Sequence, residues 1–183
     1  NRSVHIPVIV TESGIKDMVY NDFYIGDNAE VLIVAGCGVH TTGDNESGHD
    51  GIHTFHIGKG AKIKYVEKHI GSGSDAKKTL NPVTNIVMKE DSEFEMETIQ
   101  IGGVTYSNRV TNAKLKSNAK LSIKEKILTT DKDTAITKFK VELLGDGSSV
   151  NVISRSVAKD NSTQKFISKI VGKANCFGHV ECD

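Results

Sequence analysis

Gly26-Asp-Asn-Ala-Glu-Val-Leu-Ile-Val34 returns along the chain as Gly58-Lys-Gly-Ala-Lys-Ile-Lys-Tyr-Val66, then as Lys89-Glu-Asp-Ser-Glu-Phe-Glu-Met-Glu97. Further copies are Lys116-Ser-Asn-Ala-Lys-Leu-Ser-Ile-Lys124 and Gly145-Asp-Gly-Ser-Ser-Val-Asn-Val-Ile153, with a looser one at Gly172-Lys-Ala-Asn-Cys-Phe-Gly-His-Val180. Each copy is a polar or glycine-bearing turn, a small residue, then alternating apolar positions. The fourth residues, Ala29, Ala61, Ser92, Ala119, Ser148 and Asn175, are spaced by 32, 31, 27, 29 and 27 residues. Self-similarity at this period marks a stacked, quasi-one-dimensional architecture in which each repeat buries its apolar side against the next.

Outward from these copies, each repeat holds a second stretch with period-two alternation: Ile52–Ile57, Val83–Met88, Ala135–Leu143 and Thr163–Ile170. Period two places one side inward and the other outward, and helical spacing is weak throughout. The expected rung is strand, tight turn, strand and a longer return loop. In a parallel coil, Val31, Ile63, Phe94, Leu121 and Val150 form one inward ladder, with Ile33, Tyr65, Met96, Ile123 and Val152 beside it. A β-sandwich is the structural alternative. Glycine content predicts that residues 35–51 form a loop leaving the coil and that residues 71–78 form a shorter excursion.

Length and composition agree with this reading. A chain of 183 residues suits one domain. Few prolines, no tryptophan and abundant Val, Ile, Thr and Gly favour sheet. Basic and acidic residues balance at 23 each, which argues against nucleic acid or an anionic membrane as the main partner. No apolar run approaches a membrane span of about 20 residues, and no signal peptide is visible. Three cysteines are too few for a secreted disulfide scaffold, so reduced thiols in the cytoplasm are expected. The chain opens on Asn1 and stops at Asp183 inside a strand-like phrase, and it reads as part of a longer protein.

Chemistry-bearing residues fall in four places. His49, His53 and His56 have spacings that resemble metal ligation, but a strand would point His53 and His56 to opposite faces, and a metal needs three or four convergent groups. Glu67-Lys68-His69 reads as a solvated strand end with an ion pair. Cys37 lies between Gly36 and Gly38, where a thiol is often a small buried hydrophobe. Cys176-Phe-Gly-His179-Val-Glu-Cys182-Asp183 carries two thiols, but not at a zinc-finger spacing. Iron or a cluster there would need ligands from another chain or from a further segment. Phosphate loop, dinucleotide fingerprint, nucleophile elbow and paired zinc motifs are all missing from the sequence.

Read together, Ala35-Gly-Cys-Gly-Val-His40, Ser47-Gly-His-Asp-Gly-Ile-His-Thr-Phe55, Gly58-Lys-Gly-Ala61 and Tyr65-Val-Glu-Lys-His69 resemble the SufB/SufD family. So do Asn81-Pro82, Glu95–Val104, Ser154-Arg-Ser-Val-Ala-Lys-Asp160 and Gly178-His-Val-Glu-Cys-Asp183. The matches run in order over nearly the whole chain. The resemblance implies a right-handed parallel β-helix of roughly six rungs, residues 1–183 forming the core domain without the family's terminal helical parts. It implies a role in iron–sulfur cluster assembly as a cytoplasmic scaffold and not as an enzyme. By the same resemblance, Cys182 stands at the position of the essential cluster cysteine, and Cys37 at a second cysteine position as a sulfur or metal contact. Implied partners are another SufB/SufD-type subunit, as a homo- or heterodimer, and a SufC-type ATPase bound through a further C-terminal segment. The cluster is transient, and none is expected to stay tightly bound to this chain. Two rivals stand beside this reading: a β-helix polysaccharide-active enzyme with a metal in the histidine-rich loop, and a purely structural SufD-like partner.

Overall fold

The turn phrase builds one corner of every rung. A computed structural model describes residues 3–183. Its strands are β1 (Val4–Val10), β2 (Lys16–Ile25), β3 (Glu30–Thr41), β4 (Ser47–Ile57), β5 (Lys62–Gly73), β6 (Lys78–Leu80) and β7 (Val83–Met88). The second half adds β8 (Glu93–Ile101), β9 (Tyr106–Leu115), β10 (Lys120–Thr129), β11 (Thr134–Leu143), β12 (Ser149–Ala158), β13 (Thr163–Gly172) and β14 (Phe177–Cys182). No helix occurs among the described residues, so none is long and apolar enough to cross a membrane.

All pairings are parallel, and each strand pairs with its equivalent in the adjacent repeat. One sheet runs β1-β3-β5-β8-β10-β12-β14; the other runs from β2 through β4, β6 with β7, β9 and β11 to β13. The molecule is therefore a parallel β-helix of about six turns, and the sandwich alternative falls. Both inward ladders read from the sequence occur, with Val31↔Ile63↔Phe94↔Leu121↔Val150 and Ile33↔Tyr65↔Met96↔Ile123↔Val152 in register. Opposite them stack Phe23↔Phe55↔Ile86↔Ala113↔Val141↔Ile170. The Phe55 ring lies 4.6 Å from Phe23, 5.0 Å from Tyr65 and 5.1 Å from Phe94.

At the corner, the third residue of the phrase adopts left-handed backbone: Asn28 (φ 59°), Gly60 (65°), Asp91 (60°), Asn118 (56°) and Gly147 (71°). Glycine, Asn and Asp tolerate that region best, which explains the turn composition. The residue after it is small because it is enclosed; Ala61, Ser92, Ala119 and Ser148 are at most 1% exposed. In the last copy the structure shifts the alignment by one residue. Phe177 pairs with Ser149, so Cys176, not Asn175, takes the small-residue position and packs on the core.

Two loop expectations are corrected. Residues 35–51 do not leave the coil; β3 and β4 run through them, leaving only residues 42–46 as a turn. Residues 71–78 shrink likewise to a turn at 74–77. The glycines there serve close packing of successive coils: a Cβ on Gly71 would strike the Gly103 carbonyl, and one on Gly48 the Thr79 hydroxyl.

Candidate functional site

Away from the turn corner the interior becomes polar, and the same inward parity continues there. One ladder reads Ala35↔Glu67↔Thr98↔Glu125↔Ser154↔Cys182, and its neighbour reads Cys37↔His69↔Gln100↔Ile127↔Ser156. Glu67 and His69 are 1% exposed, so the expected solvated strand end is corrected to a buried pair. Only Lys68 between them faces outward.

Arg109, inward on β9, organises this half. Its Nη1 donates to Glu67 Oε2 at 2.7 Å and its Nη2 to His69 Nδ1 at 2.7 Å, while Nε lies 3.5 Å from Glu125 Oε2. A guanidinium only donates, so His69 Nδ1 accepts and its proton sits on Nε2, 3.4 Å from Glu67 Oε1. Tyr65 Oη donates to the same oxygen at 2.9 Å. Burial alone would raise the Glu67 pKa; His69 and the Arg109 guanidinium overcome it and hold Glu67 well below the ordinary carboxylate value. Burial keeps His69 low, as the neutral ring required by its hydrogen bonds. Glu125 accepts from Thr137 and Ser154, each at 3.0 Å, yet burial raises its pKa against the pull of Arg109.

Cys37 joins this cluster. Its Sγ, a Glu67 oxygen and a His69 nitrogen all lie within 4.8 Å of one another, a spacing that fits metal ligands. Burial first, and Glu67 second, push the Cys37 thiol up to about 12. Arg109 already neutralises Glu67 and fixes the His69 tautomer with its Nε2 protonated, so Arg109, Glu67 and His69 form a satisfied hydrogen-bonded network against which Cys37 packs.

The histidines separate by strand parity. His49 and His53 point inward and are 2% exposed. His56 points outward, stacks on Tyr24 at 4.5 Å and lies 3.8 Å from Asp22 Oδ1. The three do not converge on one ion, as the alternation predicted.

At the other end, Cys182 is exposed on β14, opposite Ser154 in β12. Cys176, Gly178, Val180 and Cys182 share the inward parity, and His179 and Glu181 face outward. Arg155 donates to Glu181 Oε1 at 2.6 Å and to Asp183 Oδ2 at 2.8 Å, while His179 Nε2 lies 3.6 Å from Glu181 Oε2. Five strand steps separate Cys37 from Cys182 in the first sheet, about 24 Å at the usual interstrand spacing. The two thiols therefore belong to separate places.

The polar cluster centred on Arg109 was not singled out from the sequence. Its signal was present, because Glu67, His69 and Arg109 hold the inward parity of Ile63, Tyr65 and Ala113.

The sequence matches the family model described as "SUF system FeS cluster assembly, SufBD core domain" over residues 17–178. An iron-sulfur cluster assembly SufBD family protein of Methanothermobacter thermautotrophicus (strain Winter) is 26% identical over 179 residues, covering 96% of this chain and 42% of the relative. One from Archaeoglobus fulgidus is 26% identical over 171 residues, covering 91% of this chain and 44% of the relative. The chain thus spans less than half the length of these curated relatives. No solved structure matches the chain.

Proposed function

This chain belongs to the SufBD core family of SUF-system FeS cluster assembly proteins, and from that premise we propose that it is a scaffold subunit on which the cluster is built at Cys182. The observation that supports this most is the placement of Cys182. It is an exposed thiol on β14, in register with Ser154 at the end of the polar inward ladder among the described residues. Thiolate is both the nucleophile that accepts sulfur and the ligand that holds iron. On this reading Cys182 takes up persulfide sulfur or binds iron, and a second SufB/SufD-type β-helix supplies further ligands across the interface.

Arg155 serves this edge as a positioning residue. Its two charge-assisted bonds hold Glu181 and Asp183, the residues flanking Cys182, and so fix the strand that presents the thiol. Cys37, enclosed and protonated, would act as a sulfur contact only after local opening of the second rung. A SufC-type ATPase would drive rearrangement of the paired scaffold, and the chain itself would catalyse no reaction.

The test is anaerobic reconstitution of the intact protein, with its partner subunit, using iron and sulfide. The wild type is expected to give a cluster absorption band, which Cys182→Ser weakens or abolishes. Equal iron and sulfide content in wild type and variant would sink the cysteine assignment. Unimpaired cluster assembly in cells carrying Cys182→Ser would point instead to a structural partner role.

A further inference from the structure

We propose that His49 and His53 form a binding site for a divalent first-row transition metal inside the second rung, with Asp17 as its orienting carboxylate. The sequence His49-Asp50-Gly51-Ile52-His53 lies on β4, so positions 49, 51 and 53 all face inward. The central position has no side chain, and both imidazoles lean over it. A Cβ built on Gly51 would lie 2.8 Å from His53 Nε2 and 3.4 Å from His49 Nε2. Gly51 has ordinary backbone dihedrals, so its absent Cβ serves the space between the two rings and not a turn.

The hydrogen bonds assign the lone pairs. Asp17 Oδ2 lies 2.9 Å from His49 Nδ1, and a carboxylate only accepts, so the His49 proton is on Nδ1 and its free lone pair is on Nε2. A carboxylate behind a ligating histidine is the usual device for fixing tautomer and ring orientation at a metal. His53 is 2% exposed, and its Nδ1 is buried without a hydrogen-bond partner. Leaving Nδ1 buried and unpaired costs free energy in either tautomer, and a metal bond at Nε2, which is aimed at the gap over Gly51, would offset that cost.

Two neutral imidazole nitrogens converging on one gap suit Fe²⁺, Co²⁺, Ni²⁺ or Zn²⁺. Two histidines are fewer than the three protein ligands of the usual open zinc site, so water must supply the remaining positions. Asp17, whose side chain is 37% exposed, connects the pair to solvent at the first rung. This site lies on the second sheet, apart from Cys182, and its argument is independent of the scaffold reading.

The test uses chelator-treated intact protein titrated with Co²⁺ and Zn²⁺, read by cobalt visible absorption and by calorimetry. One equivalent of each ion is expected to bind. His53→Leu, which keeps an apolar filler of similar bulk, should abolish that binding. Asp17→Asn should weaken it by about 10- to 100-fold. Gly51→Ala keeps both ligands but places a methyl group between them, and should also abolish it. His56→Ala, which removes the outward histidine, should leave it unchanged. Circular dichroism confirms that each variant is folded. The proposal is overturned if the folded wild type binds no stoichiometric ion, or if His53→Leu and Gly51→Ala bind as the wild type does.

Discussion

Cys37 and Cys182 share the inward parity of one sheet, but they meet opposite physical environments. Cys37 lies within the stack, 5% exposed, with coils on both sides and a buried Glu–Arg–His network against it. Cys182 lies on β14, the last strand among the described residues, exposed and in register with Ser154. The same parity thus holds one enclosed thiol and one exposed thiol. The largest expected difference is therefore chemical. With its pKa pushed up to about 12, Cys37 at pH 8 holds about one thiolate in 10⁴, before any steric barrier is counted. Iodoacetamide labelling followed by mass spectrometry should modify Cys182 within minutes and leave Cys37 untouched until the protein is denatured. Comparable labelling rates would show that the second rung opens readily and would erase the contrast.

The next effect concerns what holds the Cys37 region together. Removing one partner from a buried ion pair typically costs about 3–5 kcal/mol, because the other charge is left uncompensated. Arg109→Leu strands both Glu67 and Glu125, so its loss should fall at the top of that range in urea unfolding. That is a large share of a domain's total stability. Arg155→Leu at the Cys182 end breaks two exposed ion pairs and should cost no more than about 1 kcal/mol. Equal costs for the two variants would mean that the terminal edge is as enclosed as the interior.

A third prediction separates the two buried carboxylates by pH. Glu67 has a depressed folded pKa, so its contribution is present above the ordinary value of 4.5 and is lost as pH falls through the folded value. Glu125 has a raised folded pKa, so its contribution is fully present below 4.5 and is lost as pH rises through the folded value. Between pH 4 and pH 8, the advantage of wild type over Glu67→Gln should grow, and its advantage over Glu125→Gln should shrink. Unfolding curves across that range check both slopes. Slopes of the same sign would show that Arg109 pairs with both carboxylates alike.

Much of the fold was legible in the sequence because a stacked coil repeats its constraints. The left-handed turn residue, the enclosed small residue and the two apolar ladders each recur at a fixed offset. Reading failed where glycine has two meanings. Between residues 35 and 51 the glycines looked like loop punctuation, but Gly48 and Gly51 lie inside a strand, leaving room for Thr79 and for two imidazoles. Glu67 and His69 were misread for a related reason. Charged residues are rarely buried without partners, and the compensating Arg109 lies some 40 residues further along, invisible without knowing that β9 packs across from β5. Cys182 was singled out through the family resemblance, and strand alternation alone placed it on the same side as Cys176, Gly178 and Val180.

The smallest expected effect bears most directly on function. Cys182→Ser replaces sulfur by oxygen at an exposed position that makes none of the buried polar contacts seen at Glu67. A surface change of this kind usually alters stability by less than about 0.5 kcal/mol, or about 1–2 °C in Tm for a chain of this size. Calorimetry on the apo protein should therefore find the variant indistinguishable from wild type, even though its cluster band is lost. The pairing of those two results carries the argument, since a residue kept for packing would lower Tm and a ligand would not. A clear loss of stability would place Cys182 with Cys37 among the core thiols and count against the ligand role proposed for it.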